Sequence, residues 1–267
     1  MGNCLYIIVV LYNKRITEIK SIESFLNLSL TANIRVLFMD NSIDLDIKQY
    51  NKNQSKNYDQ QKFLYVDNGG NIGLSRAYNK ALSLIKDDNY WVMLADDDTF
   101  FSETYLRNVV FETQEKGNYL LYTGIINNGR SFFSPKKRLS IKNKASDFIT
   151  EPGLYTNIYA VNSGLVINSA IFKKYGHFDE TLFLDMIDFN FMKLLIKNEA
   201  NTIKVLGGRI EQEFSGTTKA SYKKMMSRYK IFKKDFVTFC KLNEMSQFYK
   251  IAILSKRHLN ILKKAIF

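Results

Sequence analysis

An α/β fold is predicted, built on a mainly parallel central sheet flanked by helices and followed by basic amphipathic helices at the C-terminal end. Three observations carry the prediction. Short apolar runs alternate with helical patterns over the first ~125 residues, the rhythm of strand, crossover helix and parallel strand. The runs Leu5–Leu11 and Trp91–Ala95 are apolar at every position, as strands buried on both faces are. From Tyr222 onward, apolar residues recur at helical spacing with lysines between them.

Leu5–Leu11 reads as the first strand, broken by Tyr12-Asn13-Lys14, with a helical pattern through Ile19, Ile22, Phe25 and Leu26. Ile34–Met39 is the second strand and ends at Asp40-Asn41-Ser42. Lys48 to Lys62 is polar and lacks apolar periodicity, which predicts a surface excursion outside the packed elements. Phe63–Val66 is a short third strand. Asp67-Asn68-Gly69-Gly70-Asn71-Ile72-Gly73 leads from it into a helix ending near Lys86. Glycines between strand and helix allow close approach of a phosphate to a helix N-terminus, a tight structural turn being the alternative. The spacing is neither the dinucleotide-binding nor the P-loop pattern.

The fourth strand, Trp91–Ala95, organises the chain because it ends in three carboxylates, Asp96, Asp97 and Asp98. Ligands of open α/β sheets bind beyond the carboxyl ends of strands. Along an extended segment Asp96 and Asp98 point the same way and Asp97 elsewhere. Adjacent carboxylates are comfortable only with a proton, a basic side chain or a divalent cation between them. All-oxygen ligands favour Mg²⁺ or Mn²⁺. The alternative is an acidic turn capping a helix over Ser102 to Lys116.

A strand near Tyr119 to Ile126 follows, then a loop over 127–155 with Lys136-Lys137-Arg138 and both prolines, Pro135 and Pro152. A strand over Asn157 to Ile167 contains Asn162-Ser163-Gly164 and precedes a short helix, Ser169–Tyr175. Phe183-Leu184-Asp185-Met186-Ile187-Asp188 opens a further helix to about Asn198. Asp185 and Asp188 share a face if both are helical, with an N-cap role for Asp185 as the alternative. In the tail, Tyr222, Met225, Tyr229, Phe232, Phe236 and Phe239, then Ile251, Leu254, Ile261, Leu262 and Ala265, keep helical spacing. Such helices either lie on an anionic membrane or pack on the preceding domain.

The 267 residues can bury a full core, and 46% hydrophobic content excludes a disordered majority. The division expected is a catalytic domain over 1–219 and a basic helical extension over 220–267. From Ala220 to Phe267 there are 12 Lys and Arg against Asp235 and Glu244, so the tail holds most of the net charge of +12. That asymmetry does not suit a uniformly basic nucleic-acid binder, and no nucleic acid is expected. Cys4 and Cys240 match neither a disulfide framework nor a zinc pattern. With no apolar stretch near the ~20 residues of a spanning helix, no basic leader before Leu5, and Tyr6 where myristoylation needs Ser or Thr, a cytoplasmic protein is expected.

Four separated motifs in this order resemble those of the inverting nucleotide-sugar glycosyltransferases of family 2, with the glycosyltransferase A fold, and especially bacterial rhamnosyltransferase-like members. They are Tyr12-Asn13, Asp40-Asn41-Ser42, Asn71-Ile72-Gly73-Leu74-Ser75-Arg76-Ala77-Tyr78-Asn79 and Asp96-Asp97-Asp98-Thr99, within a match over residues 5–216. The resemblance implies that Asp40 bonds the pyrimidine of a UDP- or dTDP-sugar donor, flanked by the backbone of Leu11, Tyr12 and Asn13. It implies that Asn71 and Arg76 lie near the diphosphate. Asp96 and Asp98, with Asp97 between them, resemble the Asp-X-Asp pair that contacts ribose and a divalent Mn²⁺ or Mg²⁺. Asp185 is favoured as the catalytic base, with Asp188 as the alternative, because many members read Glu-Asp-X-Asp here. Where the family often carries a metal-binding His, this chain has Gln212. The acceptor implied is a hydroxyl of a glycan or lipid-linked glycan in bacterial surface polysaccharide synthesis, met at the inner face of the membrane. A non-catalytic binding module of the same fold stays open, and a nucleotidyltransferase fits less well because its glycine-rich first loop is absent.

Overall fold

The structure is a computed structural model that describes residues 3–31, 33–116, 118–129, 131–142, 144–212 and 221–266. Its elements are β1 (Cys4–Leu11), α1 (Ile22–Thr31), β2 (Ile34–Asp40), α2 (Leu45–Ser55), β3 (Phe63–Asp67), α3 (Leu74–Leu84), β4 (Tyr90–Asp96), β5 (Thr99–Phe101) and α4 (Glu103–Val110). They continue with β6 (Leu121–Asn127), β7 (Phe132–Ser134), β8 (Gly153–Thr156), β9 (Val166–Asn168), α5 (Ser169–Tyr175), α6 (Ile187–Lys197), β10 (Thr202–Gln212), α7 (Tyr222–Leu242) and α8 (Gln247–Ile266).

One sheet runs β3-β2-β1-β4-β9-β6-β10-β5, with β7 on β6 and β8 on β10. The parallel run expected from the strand and helix alternation covers β3-β2-β1-β4. Beyond β4 the sheet is mixed, because β9 pairs antiparallel to both β4 and β6 while β6 and β10 are parallel. Strand alternation divides the core. Leu5, Ile7 and Val9 of β1 and Trp91, Met93 and Ala95 of β4 face the side covered by α1 and α4. Tyr6, Ile8, Val92 and Leu94 face the side covered by α3, α5, α6 and α7. Both faces are buried, which is why these strands read as continuous apolar runs.

Three expected elements differ. The excursion expected over 48–62 is confined to the turns at 56–62, because 48–55 belong to α2, whose N-cap Asp44 accepts with its side chain from the backbone N–H groups of Asp46 and Ile47. Its packed face is polar, with Asn51 and Ser55 buried, so it carries no apolar signature. The helix expected over Ser102 to Lys116 is capped by Ser102 but stops at Val110 and continues as a π-helical turn, Phe111–Lys116. The strand expected over 157–167 is reduced to Val166–Asn168.

In α7, Tyr229, Phe232, Phe236 and Phe239 are buried in the same cluster as α3, α5 and α6, so this helix packs on the sheet domain. The expected domain boundary at 219/220 falls outside the described residues. In α8, Ile261 is buried, whereas Phe248, Ile251 and Leu259 are exposed. No described helix is long and apolar enough to cross a membrane. Cys4 and Cys240 are both free and buried.

Candidate active site

The first loop is built around Asp40. Its Oδ1 accepts from Ser42 N at 2.8 Å, and its Oδ2 accepts from Asn51 Nδ2 at 3.0 Å and from the Tyr65 hydroxyl at 2.8 Å. Asp40 is fully buried, and these bonds tie β2, α2 and β3 together. Asn13, at φ 50°, crosses over this anchor: its N–H donates to Ser42 Oγ at 2.8 Å and its Oδ1 accepts from Ile43 N at 2.9 Å. Asn and Asp tolerate that left-handed region better than other side chains. Leu11 is buried and Tyr12 is half exposed at the rim.

The three carboxylates separate, Asp96 at the end of β4 and Asp97 and Asp98 in the turn that leads to β5. Asp97 turns to Lys14, whose Nζ lies 3.3 Å from Oδ1 and donates to the Asp97 carbonyl at 2.7 Å. Asp96 and Asp98 turn to one partner, Gln212, whose Nε2 donates to Asp96 Oδ2 at 2.8 Å and to Asp98 Oδ1 at 3.2 Å. Gln212 arrives there because β5 pairs antiparallel with β10, in a register that sets Gln212 opposite Thr99. Ser163 closes the group, accepting from Asp96 N at 3.3 Å and donating to Thr99 Oγ1 at 2.8 Å. Burial first, and then the Asp98 charge, push Asp96 up to about 7 against the opposing hydrogen bond from Gln212.

The second acidic pair splits. Asp185 precedes α6, and Met186, at φ 66°, stands at the N-cap without a side-chain bond, so Asp185 neither caps the helix nor shares a helical face with Asp188. The Asp185 carboxylate is held by both guanidinium nitrogens of Arg228 on α7, at 2.5 and 2.7 Å. A bidentate fork of this kind fixes the carboxylate in place. Two turns further along α7, the fully buried Asp235 accepts the backbone N–H groups of Phe183, Leu184 and Asp185 at 3.0, 2.8 and 2.8 Å. Asp188 is different. Its Oδ1 accepts from Phe189 N at 2.7 Å, and the Asn162 backbone also bonds it, yet burial pushes it up to about 6. Its charge is felt at Asp96 and at Tyr78. The Tyr78 hydroxyl and Asn162 Oδ1 are buried polar atoms with no hydrogen-bond partner among the described residues.

Asn71 and Arg76 lie outside this group. Asn71 is exposed and its Oδ1 accepts from Gly73 N at 3.1 Å, while Arg76 is exposed and 3.7 Å from Glu180. Gly73 is needed for packing, since at φ 89° a Cβ there would stand 2.7 Å from the Phe183 ring and 2.8 Å from the Phe183 carbonyl. That carbonyl accepts from Leu74 N at 2.6 Å, so α3 and the Asp188 segment are joined at this glycine.

The donor set suits a hard divalent cation, because Asp96 and Asp98 converge on a single point now met by an amide N–H₂. Among the described residues no group of three or more His, Cys, Asp and Glu could hold an ion, so Asp96 and Asp98 would need donor oxygens or water beside them. Sequence reasoning missed Lys14, Asn51, Tyr65, Arg228 and Asp235. Lys14 adjoins a motif and was within reach. Arg228 and Asp235 lie in a lysine-rich helix where nothing local distinguishes them.

The profile described as "Glycosyl transferase family 2" matches residues 6–176, from β1 to the end of α5. Among solved structures, the mannosyltransferase PcManGT from Pyrobaculum calidifontis, in complex with GDP-Man and Mn²⁺, is similar with a TM-score of 0.56 at 12% identity, over 100% of this chain and 73% of that one. GalNAc-T7, solved with UDP, GalNAc and Mn²⁺, is similar with a TM-score of 0.60 at 12% identity, over 90% of this chain and 48% of that one. A search of curated protein sequences finds no match. The structures share the glycosyltransferase A fold with this chain, and the profile spans well over half of it: the chain belongs to glycosyl transferase family 2.

Proposed function

We propose that the chain is an inverting, rhamnosyltransferase-like glycosyltransferase that moves a sugar from a UDP- or dTDP-sugar to a hydroxyl of a glycan or lipid-linked acceptor in bacterial surface polysaccharide synthesis. The observation that carries the mechanism is the contrast between the two candidate bases. Asp185 is engaged by a bidentate arginine, while Asp188 is half-buried, raised to about 6 by loss of solvation, and acts electrostatically on Asp96 and Tyr78. A base near neutrality is what proton abstraction from a hydroxyl requires. The base is therefore Asp188, and Asp185 is a positioning residue.

The acceptor oxygen forms the new bond to the anomeric carbon as the bond from that carbon to the diphosphate oxygen breaks. The electron pair leaves with the diphosphate, and the acceptor proton passes to Asp188. With base and leaving group on opposite faces of the sugar, a single displacement inverts the centre. Asp96 and Asp98 would hold Mn²⁺ or Mg²⁺, which when bound offsets charge on the departing diphosphate. Lys14 fixes Asp97 and with it the turn that aims both neighbours. Tyr12 at the rim and the Leu11–Asn13 backbone flank the nucleobase, and Asn71 and Arg76 border the diphosphate side.

The exposed Phe248, Ile251 and Leu259 on the basic α8 support peripheral contact with an anionic inner membrane face. A panel of nucleotide sugars with Mn²⁺, read by thermal shift and by release of nucleoside diphosphate, tests the reading. Stabilisation with slow release supports it. Stabilisation with no release under any acceptor condition indicates a binding module.

A further inference from the structure

The extension expected over 220–267 supplies two side chains to the segment that carries the proposed base. Asp235 accepts the backbone N–H groups of Phe183, Leu184 and Asp185, and Arg228, two turns earlier on α7, forks the Asp185 carboxylate. Asp235 is fully buried, and Tyr229, Phe232, Phe236 and Phe239 seat the same helix in the core. α8 holds α7 in turn: the Tyr229 hydroxyl donates to the Leu254 carbonyl at 3.2 Å, and the Arg257 guanidinium lies 3.6 Å from the centre of the Phe232 ring.

Between Asp185 and Asp188 the backbone passes through Met186 at φ 66°. Side chains with a β-carbon adopt that left-handed region only where their surroundings hold them there. The hold is two-sided here, because α7 grips residues 183–185 and α6 begins at Ile187. The turn places Asp188 in the first turn of α6.

Charge matters as well as place. Loss of solvation raises Asp188 most, and the Asp185 charge three residues away raises it further. The Arg228 guanidinium, at 2.5 and 2.7 Å from the Asp185 oxygens, offsets that charge, and Arg257 on α8 reaches it through space. Asp188 also interacts through space with Asp96 at the end of β4, Tyr78 on α3 and Lys136 beyond β7, and a change at Arg228 leaves those groups in place.

We propose that α7 belongs to the catalytic unit and that Arg228 is a positioning residue for the transfer, pinning the turn before α6 and screening Asp188 from the Asp185 charge. That Asp188 is the base rests on the transferase reading; the grip of α7 on residues 183–185 does not, and it is measured without substrate.

Hydrogen exchange on the unaltered, unliganded chain tests the grip. The amides of Phe183, Leu184 and Asp185 should exchange as slowly as those of β1 and β4, and exchange at the rate of an exposed loop would overturn the proposal. Kinetics with Mn²⁺ test the role, read as nucleoside diphosphate released from UDP-glucose, UDP-galactose or dTDP-rhamnose, whichever the unaltered chain turns over. In Arg228→Met, kcat at neutral pH should fall about 10- to 100-fold with donor KM within about threefold of the parent, and the acid limb of the kcat profile should move to higher pH. Arg228→Lys keeps the charge without the fork and should leave the limb near its parental place. Adding Asp185→Asn to Arg228→Met removes the uncovered charge and should bring the limb back. An unmoved limb in Arg228→Met, a double variant no better than Arg228→Met, or a donor KM that rises as far as kcat falls would each overturn the proposal. Should Arg228→Met not fold, Arg228→Gln takes its place with the same outcomes. A chain that releases nucleotide from none of these donors while the three amides stay protected discards the transferase reading and leaves the docking of α7 standing.

Discussion

Replacing Asp235 by alanine strips the acceptor from three backbone donors at once, the N–H groups of Phe183, Leu184 and Asp185. The site is fully buried at Asp235, so water does not simply take the place of the lost carboxylate. A buried donor left unpaired costs about 1–3 kcal/mol. With some relaxation of the segment, three of them sum to about 3–5 kcal/mol, a large part of the ~5–15 kcal/mol that holds a domain together. For a chain of this size that is a fall in Tm of about 6–20 °C. Asp235→Asn keeps one accepting oxygen but turns an N–H₂ toward the same donors, so it should lose about half as much. Urea denaturation followed by circular dichroism measures both. Kinetics on the surviving protein should show kcat reduced more than donor KM, because the strand-tip carboxylates do not touch Asp235. An alanine variant within about 1 kcal/mol of the parent would refute the claim that α7 clamps the base segment.

Other consequences follow from the same geometry. Activity should fall as pH drops through about 6, the value to which burial raises Asp188, because the base must be unprotonated; a kcat profile flat from pH 8 to 5 would remove it from that role. The linkage runs the other way for stability. Asp188 binds its proton more tightly folded than unfolded, so the charged form costs stability above pH ~6, and Asp188→Asn should gain about 1–2 kcal/mol at pH 8, shrinking to nothing by pH ~4. Gly73→Ala sets a Cβ at 2.7 Å from Phe183 in a left-handed backbone, and a loss of about 1–3 kcal/mol by thermal melt is expected. Flotation with anionic liposomes should be reduced by the triple change Phe248→Ser, Ile251→Ser, Leu259→Ser; equal flotation of both proteins would show that α8's outer side does not meet lipid.

Much of the nucleotide half is legible in the sequence because its signals are local. β1 and the Tyr90–Ala95 part of β4 are apolar at every position since both sheet faces are covered, and Asp96 and Asp98 meet one partner while Asp97 meets another, as expected, although the turn after Asp96 and not an extended strand sets them apart. The pattern over Ser169–Tyr175 marks α5 with its observed ends. The α2 helix leaves no such mark, because it packs through Asn51 and Ser55, and hydropathy does not register a polar buried face. The three donors that close over Asp40, from the loop after β2, from α2 and from β3, are not marked in the sequence. Spacing does not decide between Asp185 and Asp188: the deciding partner, Arg228, is more than 40 residues away on a helix whose many cations look alike in sequence. Long-range pairing of this kind is fixed by packing.

Turnover by Asp188→Asn and Asp185→Asn, compared side by side with a donor that the intact chain hydrolyses or transfers, tests the central claim most directly. Nucleotide affinity in Mn²⁺ should be unchanged in Asp188→Asn, while its kcat falls by roughly 10²–10⁴. Asp185→Asn should stay within about tenfold of the parent, since its loss loosens an ion pair and leaves the base in place. An Asp188→Asn enzyme that turns over near the parental rate, with Asp185→Asn inactive, would contradict the account.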